Sequence, residues 1–132
     1  MTATFLNPPA LPRPTGYSHV AIAPAGRQIY LSGQVALAAD GTLIGENDLA
    51  AQTGQVFVNL KAGLAAAGAD FRHVFKVVTY VVGLDAEKAA IVRRVRLTHL
   101  GDGPYPASTM VGVSALVDPR LLVEIEVIAA LA

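Results

Sequence analysis

Two glutamates, Glu124 and Glu126, interrupt the last apolar run of the chain, which extends from Leu121 to Ala129. Successive side chains of a β-strand point to opposite faces, so a strand here places both carboxylates on one face, about 7 Å apart. The other face of the same strand is wholly apolar. Because a carboxylate is costly to bury without a partner, the pattern leaves two interpretations open. Either the acids face solvent, or they line a site that can orient water and move protons.

A second unusual segment, Ser32-Gly33-Gln34, places small and polar residues inside an otherwise apolar strand. Glycine in a strand often marks a β-bulge or a close approach of another group to the backbone. The segment is therefore compatible with a ligand seated against Gly33, and equally with a bulge that binds nothing.

Three arginines, Arg93, Arg94 and Arg96, cluster on the second predicted helix. A solvated helix face is the simplest interpretation, and an anchor for a carboxylate or phosphate group is the alternative. The histidines lie on three different elements without the spacing of a metal site, at His19, His73 and His99. The sequence contains no nucleotide-binding, zinc-protease or nucleophile-elbow motif, so no metal or cofactor is predicted.

The chain has 132 residues, of which 53% are hydrophobic and 15% charged, with no cysteine and a formal net charge of +0. This length predicts one domain, residues 1–132, in which the proline-rich residues 1–15 form an extended arm. Because about a quarter of residues are charged in ordinary soluble domains, the apolar excess predicts a second surface buried against copies of the same chain. The balanced charge argues against nucleic acid and anionic membranes as partners. No segment has the pattern of a signal peptide or a membrane span, so we expect a cytoplasmic protein.

Turn, cap and periodicity signals predict the element order β-β-(β)-α-β-α-β-β, an α+β fold with a mixed sheet and both helices on one face. The first two strands are predicted to pair as a hairpin, and the last two form a closing pair. The helices are bounded by capping aspartate or asparagine residues and by glycines. The predicted strands are Ser18–Ala23, Arg27–Val35, His73–Val82, Ser108–Leu116 and Leu121–Ala129, with helices from Asn47 or Asp48 to Gly68 and from Ala86 to Leu100.

A set of short motifs, in the same order along the chain, resembles the RidA (YjgF-like, or endoribonuclease L-PSP) family of small trimeric proteins. The motifs are Gly16-Tyr17-Ser18, Tyr30-Leu31-Ser32-Gly33-Gln34, Gln52-Thr53, Asn59-Leu60, Ala66-Ala67-Gly68-Ala69, Val74 to Tyr80, Pro106-Ala107 and Val123 to Ala129. The resemblance implies a chorismate-mutase-like fold, a homotrimer around a central β-barrel, and ligand clefts between subunits.

Well-studied members of that family hydrolyse reactive enamines and imines, such as 2-iminopropanoate, to keto acids and ammonia. In their motif Pro-Ala-Arg-Ser, the arginine holds the substrate carboxylate. Here the motif reads Pro106-Ala107-Ser108-Thr109, and a hydroxyl cannot reproduce a bidentate guanidinium–carboxylate pair. The departure predicts an altered specificity. Either Arg93 or Arg96 supplies the cation from the second helix, or the cleft binds a ligand without turning it over.

The resemblance implies Tyr17 and Glu124 as catalytic residues, with Glu124 orienting the attacking water or moving its proton and Tyr17 capping the cleft. The resemblance implies Ser32 and Gly33 as substrate-binding residues, and the departure from the motif adds Ser108, Arg93 and Arg96 as candidates. The leading hypothesis is a cofactor-independent hydrolytic deaminase of a small enamine or imine metabolite. The alternative is a non-catalytic trimer that binds a small metabolite or a partner protein in the same cleft. A third class, endoribonuclease, is described for some relatives, and the neutral charge argues against it.

Overall fold

The computed structural model describes residues 3–132. Its elements follow the predicted order with two differences: a strand is added at residues 4–6, and the short strand predicted before the first helix is reduced to an isolated bridge between Leu37 and Leu43. The strands are β1 Thr4–Leu6, β2 Val20–Ile22, β3 Arg27–Gln34, β4 Val74–Val82, β5 Ala107–Val113 and β6 Val123–Leu131, and the helices are α1 Leu49–Ala66 and α2 Ala86–Leu100. A 3₁₀ turn, Phe71–His73, leads into β4. No helix in residues 3–132 combines the length and the apolar character that crossing a membrane would require.

The main sheet has the strand order β3-β6-β4-β5, in which β4 and β5 are parallel and the other neighbours are antiparallel. α1 packs against β6 and β3, and α2 packs beside α1. Along β6 the side chains of Val123, Ile125, Val127 and Ala129 are at most 2% exposed beneath the helices. The side chains between them are half-buried and face away from the helices. These features confirm the predicted α+β fold with a mixed sheet and two helices on one face.

Both helices begin and end where local signals place them. The Asp48 carboxylate accepts a hydrogen bond from the Ala51 amide at 3.0 Å, and the Asp85 carboxylate accepts one from the Lys88 amide at 2.8 Å. These bonds satisfy amide groups that the first turn of a helix leaves unpaired. Gly101 follows α2 with a φ of 68°, a left-handed conformation that suits glycine. The predicted bounds of α2 are confirmed, and Asp48 rather than the preceding asparagine caps α1.

The predicted hairpin between Ser18–Ala23 and Arg27–Val35 is wrong. β2 pairs with β1 in a separate two-stranded sheet, whereas β3 pairs with β6. At Gly26 the backbone comes so close to the end of β6 that a Cβ atom would lie 2.1 Å from the carbonyl oxygen of Leu131. This contact directs the chain onto β6 and leaves β2 to pair with residues 4–6. The N-terminal arm is therefore partly a strand and not wholly irregular.

The last two strands are not neighbours, because β4 lies between β5 and β6. β5 is instead the parallel neighbour of β4, and α2 provides the crossover that a parallel pair requires. Strand-forming residues predicted both strands but not their positions in the sheet. The arrangement makes β3 and β5 the two edges of the sheet.

The fully buried side chain of Gln52 ties α1 to the turn before β6, a role that its sequence position did not predict. Its amide nitrogen donates to the carbonyl oxygens of Arg120 at 2.9 Å and Gly45 at 3.2 Å, and its Oε1 accepts from the amide of Leu122 at 2.8 Å. These bonds compensate a polar group whose burial would otherwise be unfavourable. They also fix where β6 begins, and therefore which of its side chains face the helices.

The two glycines within α1 should respond in opposite ways to alanine. A Cβ at Gly54 would meet nothing within 4 Å, whereas a Cβ at Gly63 would lie 2.7 Å from Leu31 Cδ2. We expect Gly54→Ala to raise the free energy of unfolding by roughly 0.5–1 kcal/mol, because alanine is the better helix former. Gly63→Ala should give no gain or a loss, since Leu31 must move.

The measurement is urea unfolding of both variants and the wild type at one protein concentration. Equal stabilisation by the two substitutions would contradict the packing of α1 on β3.

Candidate functional site

The carboxylate of Glu124 lies against the backbone of Gly33 on the sheet face that the helices leave uncovered. A Cβ atom at Gly33 would stand 2.2 Å from Glu124 Oε2, so only glycine leaves room for the carboxylate in this position. The pairing of β3 with β6 shifts register between Leu31 and Gln34, as the glycine in the strand predicted. Ser32, inside this irregularity, is exposed. Ser32, Gly33 and Glu124 therefore lie together.

The second acid, Glu126, differs from Glu124 in having a partner on the same face. The hydroxyl of Tyr80 donates to Glu126 Oε1 at 2.5 Å. This hydrogen bond, together with burial and the two neighbouring carboxylates, raises the pKa of the Tyr80 phenol, so the phenol keeps its proton. No side-chain hydrogen bond in residues 3–132 involves the Glu124 carboxylate, although Tyr80 pairs with Glu124 across the strands. We call Ser32, Gly33, Tyr80, Glu124 and Glu126 the sheet-face group.

On the helix side of the sheet, the guanidinium of Arg96 reaches Ser108, the residue that stands where the resembled motif Pro-Ala-Arg-Ser has its arginine. Arg96 Nη1 donates to Ser108 Oγ at 3.2 Å, and Arg96 Nη2 donates to the carbonyl oxygen of Gly16 at 3.4 Å. Arg96 is 3% exposed, and its Nε is buried without a partner in the part of the chain described. The ion pairs of residues 3–132 do not include it.

A buried guanidinium with two long hydrogen bonds and no carboxylate is an uncompensated charge. Burial lowers the pKa of Arg96, and the charge of Arg93 lowers it further, yet an arginine side chain stays protonated in proteins. A buried charge without a counter-ion is strongly unfavourable. The predicted solvated arginine face is therefore wrong for Arg96, while Arg94 is exposed and Arg93 half-buried.

The segment Gly16–Ser18 covers this arginine. The amide of Ser18 donates to the carbonyl oxygen of Pro106 at 3.0 Å, which holds the segment to the start of β5. A Cβ at Gly16 would lie 3.8 Å from Arg96 Nη2 and 4.0 Å from Arg93 Cδ. Tyr17 is half-buried and stacks edge-on against His19. We call Gly16, Tyr17, Arg93, Arg96 and Ser108 the helix-side group.

The structure brings the predicted site residues together as two groups rather than one. Glu124 faces away from the helices, whereas Ser108 pairs with the buried Val77 and faces them. The sheet-face group spans β3, β6 and β4, whereas Ser108 of the helix-side group lies on the opposite edge strand, β5. Within one chain, Glu124 and Arg96 therefore do not share a pocket.

Two cavities lie elsewhere on the chain. One, of about 410 Å³, is walled by Phe71, His99 and the loop before β5. The other, of about 380 Å³, lies between β3 and α1 beside Asn59 and Gly63. Neither includes a residue that the sequence predicted for the site.

Sequence reasoning missed Tyr80 and Thr79 on β4. Tyr80 holds Glu126, and the Thr79 hydroxyl is buried on the helix side without a hydrogen-bond partner in residues 3–132. Both are polar side chains in an apolar strand, the same signal that identified the two glutamates. The described residues contain no group of three or more side chains of His, Cys, Asp or Glu placed to bind a metal.

Comparisons with known proteins agree with this fold. The sequence profile of the family described as Endoribonuclease L-PSP matches residues 9–131. Protein DfrA of Myxococcus xanthus is 39% identical over 86% of this chain and 83% of its own, and a RutC family protein of Pyrococcus horikoshii is 36% identical over 89% and 90%.

Among solved structures, the Rid family protein YyfB of Yersinia pestis, described as being of unknown function, aligns with a TM-score of 0.89 and 38% identity over 99% of this chain and 100% of that one. RidA from an Antarctic Psychrobacter aligns with a TM-score of 0.71 and 32% identity over 89% of each chain. The profile match covers most of the chain, and the relatives are matched over most of their length. The chain therefore belongs to the RidA/YjgF (endoribonuclease L-PSP) family.

Proposed function

We propose that this protein is a cofactor-independent hydrolytic deaminase of a small enamine or imine metabolite that carries a carboxylate, with Arg96 as the group that holds the carboxylate. The observation that carries the proposal is the buried, uncompensated guanidinium of Arg96 on Ser108. The family arginine is missing from the chain at position 108, but the Arg96 guanidinium from α2 reaches the Ser108 hydroxyl that stands there. A bound carboxylate would supply the counter-charge that Arg96 lacks.

The reaction adds water to an imine carbon and releases ammonia. A C–O bond forms as water attacks, and one proton of that water moves to the imine nitrogen to give a carbinolamine. The carbinolamine hydroxyl proton then moves to the amine, the C–N bond breaks, and ammonia and the keto acid are released. Glu124 suits the transfer of these protons, because its carboxylate is half-buried and is not committed to another side chain in the described residues. Glu126 is bound by Tyr80 and is less suited to this role.

Arg96 and Glu124 can act on one substrate only if a second copy of the chain contributes to the site. The sheet-face group reaches the β3 edge of the sheet through Ser32 and Gly33, and the helix-side group reaches the β5 edge through Ser108. A head-to-tail ring would place the β5 edge of one copy beside the β3 edge of the next. The uncovered sheet face also carries apolar surface, including Tyr30 at 70% and Val111 at 39% exposure. We therefore propose a homotrimer with the site between subunits, as the family resemblance implies.

A second candidate function is binding without turnover. It is favoured by the separation of Glu124 from Arg96 within one chain, because an anion site needs Arg96 alone. Under this alternative, a carboxylate metabolite would raise the melting temperature and would be recovered unchanged after incubation.

The first prediction for this proposal concerns Arg96. With 2-iminopropanoate generated in situ, Arg96→Ala should lower kcat/KM by roughly 100-fold, because the substrate carboxylate loses a desolvated partner. Arg94→Ala is the matched control, since Arg94 lies on the same helix and is exposed, and it should be unchanged. Stopped-flow imine hydrolysis measures both.

Adding Ser108→Arg to the Arg96→Ala variant should restore activity, because the new arginine on β5 would supply the guanidinium that Arg96→Ala removes. Full activity of a folded Arg96→Ala variant would refute Arg96 as the carboxylate anchor.

The second prediction compares the two acids. Glu124→Gln should lower kcat by roughly 100-fold or more, the usual contribution of a general acid or base, whereas Glu126→Gln should have a much smaller effect. Gly33→Ala should also lower kcat, but by less than Glu124→Gln, because the added methyl group would displace the Glu124 carboxylate from its position. Single-turnover kinetics are the measurement, and equal losses for the two glutamates would argue against a special role for Glu124.

The third prediction tests the position of the site between subunits. Arg96→Ala and Glu124→Ala proteins, each inactive alone, are unfolded, mixed in equal amounts and refolded together. In randomly mixed trimers about one quarter of the intersubunit sites would contain both wild-type residues, so about one quarter of the activity should return. Sedimentation verifies the trimer. No recovery from correctly assembled mixed trimers would show that the two residues do not act across an interface.

A further inference from the structure

The cavity of about 410 Å³ lies at the end of α2, beside the 3₁₀ turn and the loop before β5. Its walls are rings and aliphatic side chains: Phe5, Phe71, His99, Leu100, Pro104 and Pro106. A volume of this size is typical of sites for small molecules. We call it the α2-end pocket. None of these residues belongs to the sheet-face group or the helix-side group.

His99 is the polar side chain of this pocket that is free to bind a ligand. Its ring stacks on the buried Phe57, with centroids 5.0 Å apart and planes at 11°, and meets Phe71 edge-on at 6.4 Å. These contacts fix the orientation of the imidazole. Its ring nitrogens take no part in the hydrogen bonds formed within residues 3–132, while those of His19 and His73 do.

The imidazole of His99 is suited to act as a neutral hydrogen-bond donor and acceptor. Burial among the aromatic rings lowers the pKa of His99, and the charge of Lys61 lowers it further. A neutral imidazole offers one N–H donor and one acceptor nitrogen. The pocket therefore contains one orienting polar group on an otherwise apolar wall.

The charged residues at the rim are already paired with each other. The Arg72 guanidinium donates to the Asp70 carboxylate, with Nη2 at 2.7 Å from Oδ2 and Nε at 3.1 Å from both oxygens. The same pairing lowers the pKa of Asp70 to about 2. The two charged side chains that line the pocket therefore compensate each other, in contrast to Arg96.

We propose that the α2-end pocket binds a small neutral aromatic molecule with one hydroxyl or N–H group, of the phenol or indole class, whose polar group bonds to His99. The aromatic walls favour a flat ring, which gains edge-to-face and stacked contacts beyond simple burial. The single unpaired imidazole favours one polar substituent. This site is separate from the proposed deaminase site and does not depend on it.

Phenol, toluene and benzoate are the probes, since they share a ring and differ in one substituent. Calorimetry with the assembled wild-type protein should show that phenol binds roughly fivefold more tightly than toluene, the value of one hydrogen bond. Benzoate should bind more weakly than phenol, because the cation that lines the pocket, Arg72, is already paired with Asp70. His99→Phe should reduce the affinity for phenol to that for toluene and leave toluene unchanged.

His19→Phe is the matched control and should change neither affinity. Independently of any variant, ¹⁵N resonances of the His99 ring in the wild type should move on addition of phenol and stay in place with toluene. The proposal is overturned if no probe binds, if the His99 resonances do not respond to phenol, or if phenol keeps its advantage over toluene in His99→Phe.

Discussion

The alternation of side chains along β6 is the constraint on which the rest of the structure depends. One set, from Val123 to Ala129, is buried beneath the helices, and the set between them carries Glu124 and Glu126 to the opposite face. A shift of one residue would bury both carboxylates and expose the core residues, which is energetically prohibitive. The hydrogen bonds of Gln52 hold the start of the strand and so protect this register.

The two candidate groups place opposite charges in different environments. Glu124 is half-buried against Gly33 on an uncovered face, where water or a second copy can reach it. Arg96 is enclosed under Gly16–Ser18 and beside Ser108, where its charge has little solvent and no carboxylate. A buried cation that lacks both solvent and a carboxylate partner is a more specific signal for an anionic ligand than an exposed arginine would be. The proposed site combines them across copies of the chain.

Local signals in the sequence predicted the elements well because their causes are local. Asp85 and Gly101 cap α2 through contacts within a few residues, and the alternation in β6 depends only on strand geometry. Strand pairing depends on distant segments, so the predicted hairpin failed where Gly26 meets the end of β6. The positions of β3 and β5 at the edges of the sheet also depend on pairing with segments that are distant in the sequence.

By itself the sequence determined the family, the fold class and the residue types of the candidate site, because motifs, periodicity and composition are properties of the chain. It also placed Glu124 on the face opposite the core and marked Gly33 as a point of close approach. Only the tertiary structure decided that Arg96, rather than Arg94 or Arg93, is buried on Ser108, and that Glu124 lies on the other side of the sheet. The burial of Arg96 and its separation from Glu124 depend on how α2 packs beside α1 and reaches β5, which no single segment encodes.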